Sequence, residues 1–229
     1  MSKYLDFFDE CYYINRAERQ DREELFIKRA FEVGILPKRQ EAVIPSAEYV
    51  KPLYDGHEDN TRMEKISCTL SHQSIVSYAK ENSLKNVLIF EDDCVFLEGF
   101  KEKLQLVVND LKGCEWDLLY LGGEPNNYLH EVTENLYMMK YDGGIYANHA
   151  YAVNSTFYDK FLCVEANKVA VIDIFLINMG SQYRKIYASS ELLAVQDYTY
   201  SDLWHYMTNS QNLMINGWEK YIRNGIKLN

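Results

Sequence analysis

Residues 87–96, "VLIFEDDCVF", run four apolar side chains into three consecutive carboxylates, Glu91, Asp92 and Asp93. Like charges this close repel, so the cluster calls for a positive partner. Carboxylates are hard oxygen donors suited to Mg²⁺ or Mn²⁺. An ion held there offsets negative charge on a departing phosphate. The apolar run before the cluster reads as a strand buried on both faces. That places the acids at its carboxyl end, where open α/β sheets bind ligands. Side chains alternate along a strand. Glu91 and Asp93 are therefore expected on one side, with Asp92 pointing away unless the strand has already turned.

Other residues invite the same question. Asn15 and Arg16 close a short aromatic and β-branched run, "CYYIN", and Arg22 follows in the next segment. Arg16 and Arg22 could reach a nucleotide, or pair with acids at i,i+4 in "RAERQDREE". Ser71 and His72 fall in a helical segment, where a lone histidine is more often structural. Asp173 interrupts the apolar run "VAVIDIFLI". Burial there would raise its pKa towards the range of a useful general base. Asp197 and Asp202 are alternative bases or metal approaches, and His149 and His205 are possible late metal ligands.

The elements that must carry these residues follow from periodicity. "CYYIN" (11–15) and "EAVIP" (41–45) read as strands, with a helix between them built on Leu25, Ala30, Phe31 and Val33 and ended by Pro37. Residues 46–65 read as a long loop. Residues 63–83 form a helix, 86–91 a buried strand, the stretch from Gly99 a helix, and "WDLLYLGG" (116–123) another strand. Strands alternating with helices predict a mostly parallel central sheet flanked by helices. Beyond 123, "EPNNYLHEVTEN" reads as loop and "LYMMK" and "AYAVN" as short strands. A helix lies near "TFYDKFLCVE", "VIDIFLINMG" is helix or strand, and "ELLAVQ" is a strand. Gly122, Gly123, Gly143 and Gly144 permit close approach, hinge motion or plain turns.

Length and composition set limits. A chain of 229 residues with 47% hydrophobic and 25% charged residues fits one globular domain, here 11–123 and 124–229 as two halves of it. A net charge of −10 argues against nucleic-acid binding and against adsorption to an anionic membrane. The five cysteines form no CxxC pair, and Cys11, Cys68 and Cys94 read as core. No signal peptide and no membrane-spanning run is evident, so the expected location is cytoplasmic.

Seven segments, in order from residue 11 to 203, resemble glycosyltransferase family 25. They are "CYYINRAERQDREELF", "ISCTLSHQSIVSYAKEN", "VLIFEDDCVF", "WDLLYLGG", "NHAYAVN", "VIDIFL" and "VQDYTYSDL". Ser67 stands where the family usually has glycine. That family includes lipopolysaccharide β-galactosyltransferases and procollagen hydroxylysine galactosyltransferases. The resemblance implies a GT-A-like α/β fold, a UDP-sugar donor, a glycan or hydroxylysine acceptor and usually a Mn²⁺ (or Mg²⁺) requirement. It implies Asp93 as the direct metal ligand, with Glu91 beside it, and Asp92, Glu91, Asn15, Arg16, Arg22, Ser71 and His72 around the donor. Asp173 is the candidate base for an inverting transfer of hexose, most directly galactose from UDP-galactose. Two other readings compete. One is a receiver-like Mg²⁺-binding signalling domain, which would need an aspartate where "WDLLYLGG" ends in glycines. The other is a catalytically silent nucleotide-sugar-binding protein.

Overall fold

The computed structural model describes residues 6–50, 62–139, 144–168, 171–180, 185–203 and 205–223. Its elements, in chain order, are β1 (Glu10–Asn15), α1 (Gln20–Glu32), β2 (Lys38–Glu41), α2 (Ala47–Val50), α3 (Arg62–Glu81), β3 (Asn86–Glu91), β4 (Cys94–Phe96) and α4 (Phe100–Leu111). There follow β5 (Leu118–Tyr120), β6 (Glu124–Pro125), β7 (Leu129–Thr133), β8 (Leu136–Met139), β9 (Ile145–Tyr146), β10 (Ala150–Asn154), α5 (Tyr158–Leu162) and α6 (Ile172–Gly180). The last are β11 (Ile186–Ser189), β12 (Ala194–Gln196), β13 (Thr199–Ser201), β14 (Tyr206–Thr208) and α7 (Gln211–Trp218).

The expected α/β architecture, a mostly parallel central sheet flanked by helices, is observed. Among the described residues an eight-stranded sheet runs in the order β2-β1-β3-β10-β5-β11-β8-β7. Strands β2, β1, β3, β5, β11 and β7 point one way, and β10 and β8 are reversed. The sheet is thus mostly parallel in direction. β10 inserts antiparallel between β3 and β5, so residues from beyond 123 sit at the sheet's centre.

β3 shows why the sheet holds. Leu88 and Phe90 pack into one apolar layer with Phe26 and Ala30 of α1 and Leu104 and Val107 of α4. Val87 and Ile89 pack into the opposite layer with Ile75, Val76 and Ala79 of α3. A period of two across a sheet covered on both faces requires the unbroken apolar run. Its end is therefore where a polar side chain first escapes the core.

Several expectations are corrected. The second strand lies at 38–41, not 41–45: it pairs parallel to β1, Tyr12 opposite Lys38. The buried face of α1 is Phe26 and Ala30, whereas Leu25 and Phe31 are exposed. α1 ends at a left-handed glycine, Gly34 (φ 73°), rather than at Pro37, with the Ile35 amide returning to the Ala30 carbonyl. Residues 129–133, expected as loop, form the edge strand β7, and 172–180 is helix. Of the long loop at 46–65, residues 47–50 are helical and 62 onward belongs to α3. Residues 51–61 and Gly143 lie outside the described residues.

Candidate active site at the carboxyl end of β3

β3 stops at Glu91 and the chain turns through Asp92 and Asp93 into β4. Across this turn Glu91 and Asp92 face opposite elements, as alternation along a strand expects. Glu91 faces α3, its Oε1 3.2 Å from Nε2 of His72. Asp92 faces β1 and α1: Nδ2 of Asn15 donates to its Oδ2 at 2.8 Å and Arg22 donates to its Oδ1 at 2.9 Å. Asp93 is fastened by its backbone, its carbonyl accepting from the Asp197 amide at 2.7 Å. Oδ1 of Asp93 is buried without a hydrogen-bond partner among the described residues.

All three acids line one cleft with Asn15, Arg16, Arg22, Ser71 and His72. The candidate metal-holding and donor-binding residues therefore converge on one place. Apolar Ile14, Ala42, Ile44, Pro45, Met63 and Leu203 form much of the remaining wall.

The roles within that set differ. Asn15 is almost fully buried and wholly engaged, donating to Asp92 and to the Arg19 carbonyl and accepting from Arg39. It holds Asp92 in place. Arg22 also donates to the Tyr200 carbonyl at 2.6 Å, so it bridges the acidic turn to the β13 strand rather than pairing along α1. Arg16 is nearly half exposed and paired only loosely with Glu18 at 3.6 Å, which leaves it free to turn to a ligand. Ser71 accepts from the Val43 amide at 2.8 Å and donates to the Ser67 carbonyl, and Ser67 in turn donates to the Val43 carbonyl. These serines clamp 41–45 to α3, which gives the departure from the family's glycine a structural use.

The electrostatics mark Asp93. Burial, then the charges of Glu91, Asp92 and Asp197, push its carboxyl well above the usual range. Burial works to raise Glu91 too, but the His72 hydrogen bond and the nearby His149 and Arg22 outweigh it and hold Glu91 low. A divalent cation fits this donor set: it would satisfy the orphaned oxygen and cancel the repulsion among the acids.

The later candidates divide. Asp173 is not among the residues lining the cleft. Its oxygens accept from the Ala147 amide at 2.9 Å and from Asn148 at 3.0 Å, at the first turn of α6. Burial pushes its carboxyl up to about 6, and the charge of Glu91 adds to this. Asp202 lines the cleft and is held by Arg19 through both oxygens, at 3.0 and 2.9 Å. Asp197 is ion-paired with Arg29 at 2.6 Å. His149 is fully buried between the Ala147 and Ala194 carbonyls, 3.2 and 3.1 Å away. His205 stands 3.5 Å from Glu64, a cleft residue whose other oxygen is buried with no hydrogen-bond partner among the described residues.

Sequence reasoning missed Glu64, Arg19, Arg29 and Arg39, whose partners are distant in the chain. Cys68, expected in the core, packs against the layer of Ile75 and Val76 and also lines the cleft. The glycines ending β5 act through close approach. A Cβ on Gly122 would lie 2.3 Å from the Ala194 carbonyl and 2.5 Å from the His149 ring, and one on Gly144 2.2 Å from Ile177. Gly122 and Gly123 carry no carboxylate, so the phosphoacceptor that a receiver needs at the end of this strand is not there.

The family model "Glycosyltransferase family 25 (LPS biosynthesis protein)" matches residues 10–167, more than half of the chain. The chain belongs to glycosyltransferase family 25. The human protein named "Inactive glycosyltransferase 25 family member 3" is 29% identical over 192 residues, covering 77% of this chain and 32% of that protein. Mouse procollagen galactosyltransferase 2 is 29% identical over 214 residues, covering 82% and 33%. Procollagen galactosyltransferase 1-A of Xenopus laevis is 35% identical over 132 residues, covering 50% and 21%. The family 25 chain thus spans about a third or less of the length of these relatives. Among its described residues no helix is long and apolar enough to cross a membrane.

Proposed function

We propose that this family 25 chain is a metal-dependent, inverting hexosyltransferase that takes galactose from UDP-galactose to a hydroxyl of a glycan or of hydroxylysine. The observation that carries the reading is the buried, unpartnered Oδ1 of Asp93 in a cleft it shares with Glu91 and Asp92. Asp93 and Glu91 would hold Mn²⁺ or Mg²⁺. Such an ion, when bound, supplies positive charge against the departing diphosphate.

The chain's own residues do the rest. Asn15 and Arg22 fix Asp92 so that its charge stays at the cleft floor. Arg16, at the rim, turns from Glu18 to a phosphate. The apolar wall of Ile14, Ile44 and Met63 offers a face for the base of the nucleotide. Asp173 takes the acceptor proton: a carboxyl with a value near 6 is ionised at neutral pH yet basic enough to receive it. To do so it exchanges its contact with Asn148 for the acceptor hydroxyl. We place donor contacts mainly in 11–123 and acceptor contacts mainly in 124–229, within one domain.

Thermal unfolding against UDP and UDP-sugars, with and without Mn²⁺, tests the donor half. A ligand of the native state at a hundredfold excess over Kd adds about 2.7 kcal/mol of stability. A shift with UDP-galactose that needs Mn²⁺ supports the reading, and no shift with any nucleotide overturns it. A second reading, binding without transfer, is favoured by the relative named as inactive. It predicts the same shift with no release of UDP in the presence of galactosyl acceptors.

A further inference from the structure

Cys68 and His72 are four residues apart on α3 and so share one face of it. Glu91 meets them from the end of β3. A sulfur, a ring nitrogen and a carboxylate oxygen of these three all lie within 4.8 Å of one another. His72 is held in register from behind, because its Nδ1 lies 2.9 Å from the hydroxyl of buried Tyr151 on β10. With Nε2 given to an ion, Nδ1–H donates to that hydroxyl, the arrangement that orients metal-bound histidines.

We propose that Cys68, His72 and Glu91 form a second cation site, built for Zn²⁺ or another thiophilic divalent ion. Thiolate, imidazole and carboxylate together are the donor set of zinc and not of Mg²⁺ or Mn²⁺. Tetrahedral zinc separates such donors by about 3.5 Å, so the widest separation here closes by at most about 1.3 Å. Rotation of the Cys68 and Glu91 side chains would bring the donors to that spacing. Three protein donors leave a fourth position for water, and Cys68, His72 and Glu91 all face the cleft, so it is open to ligand. Burial and the Glu91, Asp173 and Asp93 charges push the Cys68 thiol up, so binding would release its proton to solvent.

The site rests on the proposed function only in sharing Glu91. Filling it would take Glu91 from the Mn²⁺ site proposed for it and Asp93, so Zn²⁺ should antagonise Mn²⁺-dependent donor binding.

Cobalt is the probe, because cobalt–thiolate bonds absorb in the near ultraviolet. Co²⁺ titrated into the full, reduced chain should give that band. Zn²⁺ should erase it. Cys68→Ser should lose it, Cys163→Ser should keep it, and Tyr151→Phe should need about tenfold more Co²⁺. Asp93→Asn should keep the band, which separates this site from the donor-site reading. No band, a band that survives in Cys68→Ser, or a band lost in Asp93→Asn overturns the proposal. If Cys68→Ser does not fold by circular dichroism, Glu91→Gln takes its place and should weaken Co²⁺ binding at least tenfold; unchanged binding overturns the proposal equally.

Discussion

The guanidinium of Arg22 lies 2.9 Å from Oδ1 of Asp92 and only about a tenth of either side chain is exposed. The pair joins α1 to the acidic turn across 70 positions of sequence, and Asn15 secures the other Asp92 oxygen. The middle acid of the triplet is thereby paired with a cation of the protein, while Glu91 faces His72 and Oδ1 of Asp93 has no partner among the described residues.

Arg22→Met should cost about 3 kcal/mol in urea unfolding at pH 7, because it leaves a buried carboxylate without its cation. Arg22→Lys should recover only part of this, since an ammonium cannot reach both Asp92 and the Tyr200 carbonyl. Wild-type stability in Arg22→Met would show the pair to be dispensable.

If Asp173 is the base, both stability and activity should depend on pH through its carboxyl. Its folded value, about 6, is above the ordinary 3.8. The stability it contributes is full below about 4 and is lost as pH rises through 6. Asp173→Asn should flatten that stretch of the stability curve. The rise of kcat/KM with an ionisation near 6 should vanish with it, along with transfer, while donor binding stays. Turnover that survives in Asp173→Asn places the base elsewhere.

Ser71→Ala should behave as a structural variant. It leaves the Val43 amide without its acceptor and should lower stability by about 1–2 kcal/mol. Affinity for UDP, measured by calorimetry, should change less than threefold. A larger loss would make Ser71 a donor contact.

Gly122→Ala should cost about 3 kcal/mol or prevent folding, because its Cβ meets backbone rather than a movable side chain. The midpoint of thermal unfolding checks this. An unchanged midpoint would mean that β5 and β12 separate easily.

The seven family segments were legible because each couples an apolar period to a polar terminus. "VLIFEDD" states both a strand buried on two faces and the acids at its end. The boundaries of α3, β3 and α4 follow from the same periodicity. β2 was misplaced because "KRQE" has no apolar signal: it is an edge strand held by backbone bonds to β1. β7 was missed for a like reason, since "LHEVT" lies at the other edge of the sheet between polar turns.

The sequence by itself determined the family, the α/β layering and most of the polar residues that gather in the cleft, because these are carried by periodicity and by side-chain type within short segments. Only the tertiary structure decided the division of labour among them. Which acid is neutralised by Arg22, that Asn15 and Ser71 are braces, that β10 runs backwards through the sheet's centre, and that Cys68 meets His72 and Glu91 all depend on contacts between distant segments. Such contacts are set by how two packed layers close around β3, and no local spacing encodes them.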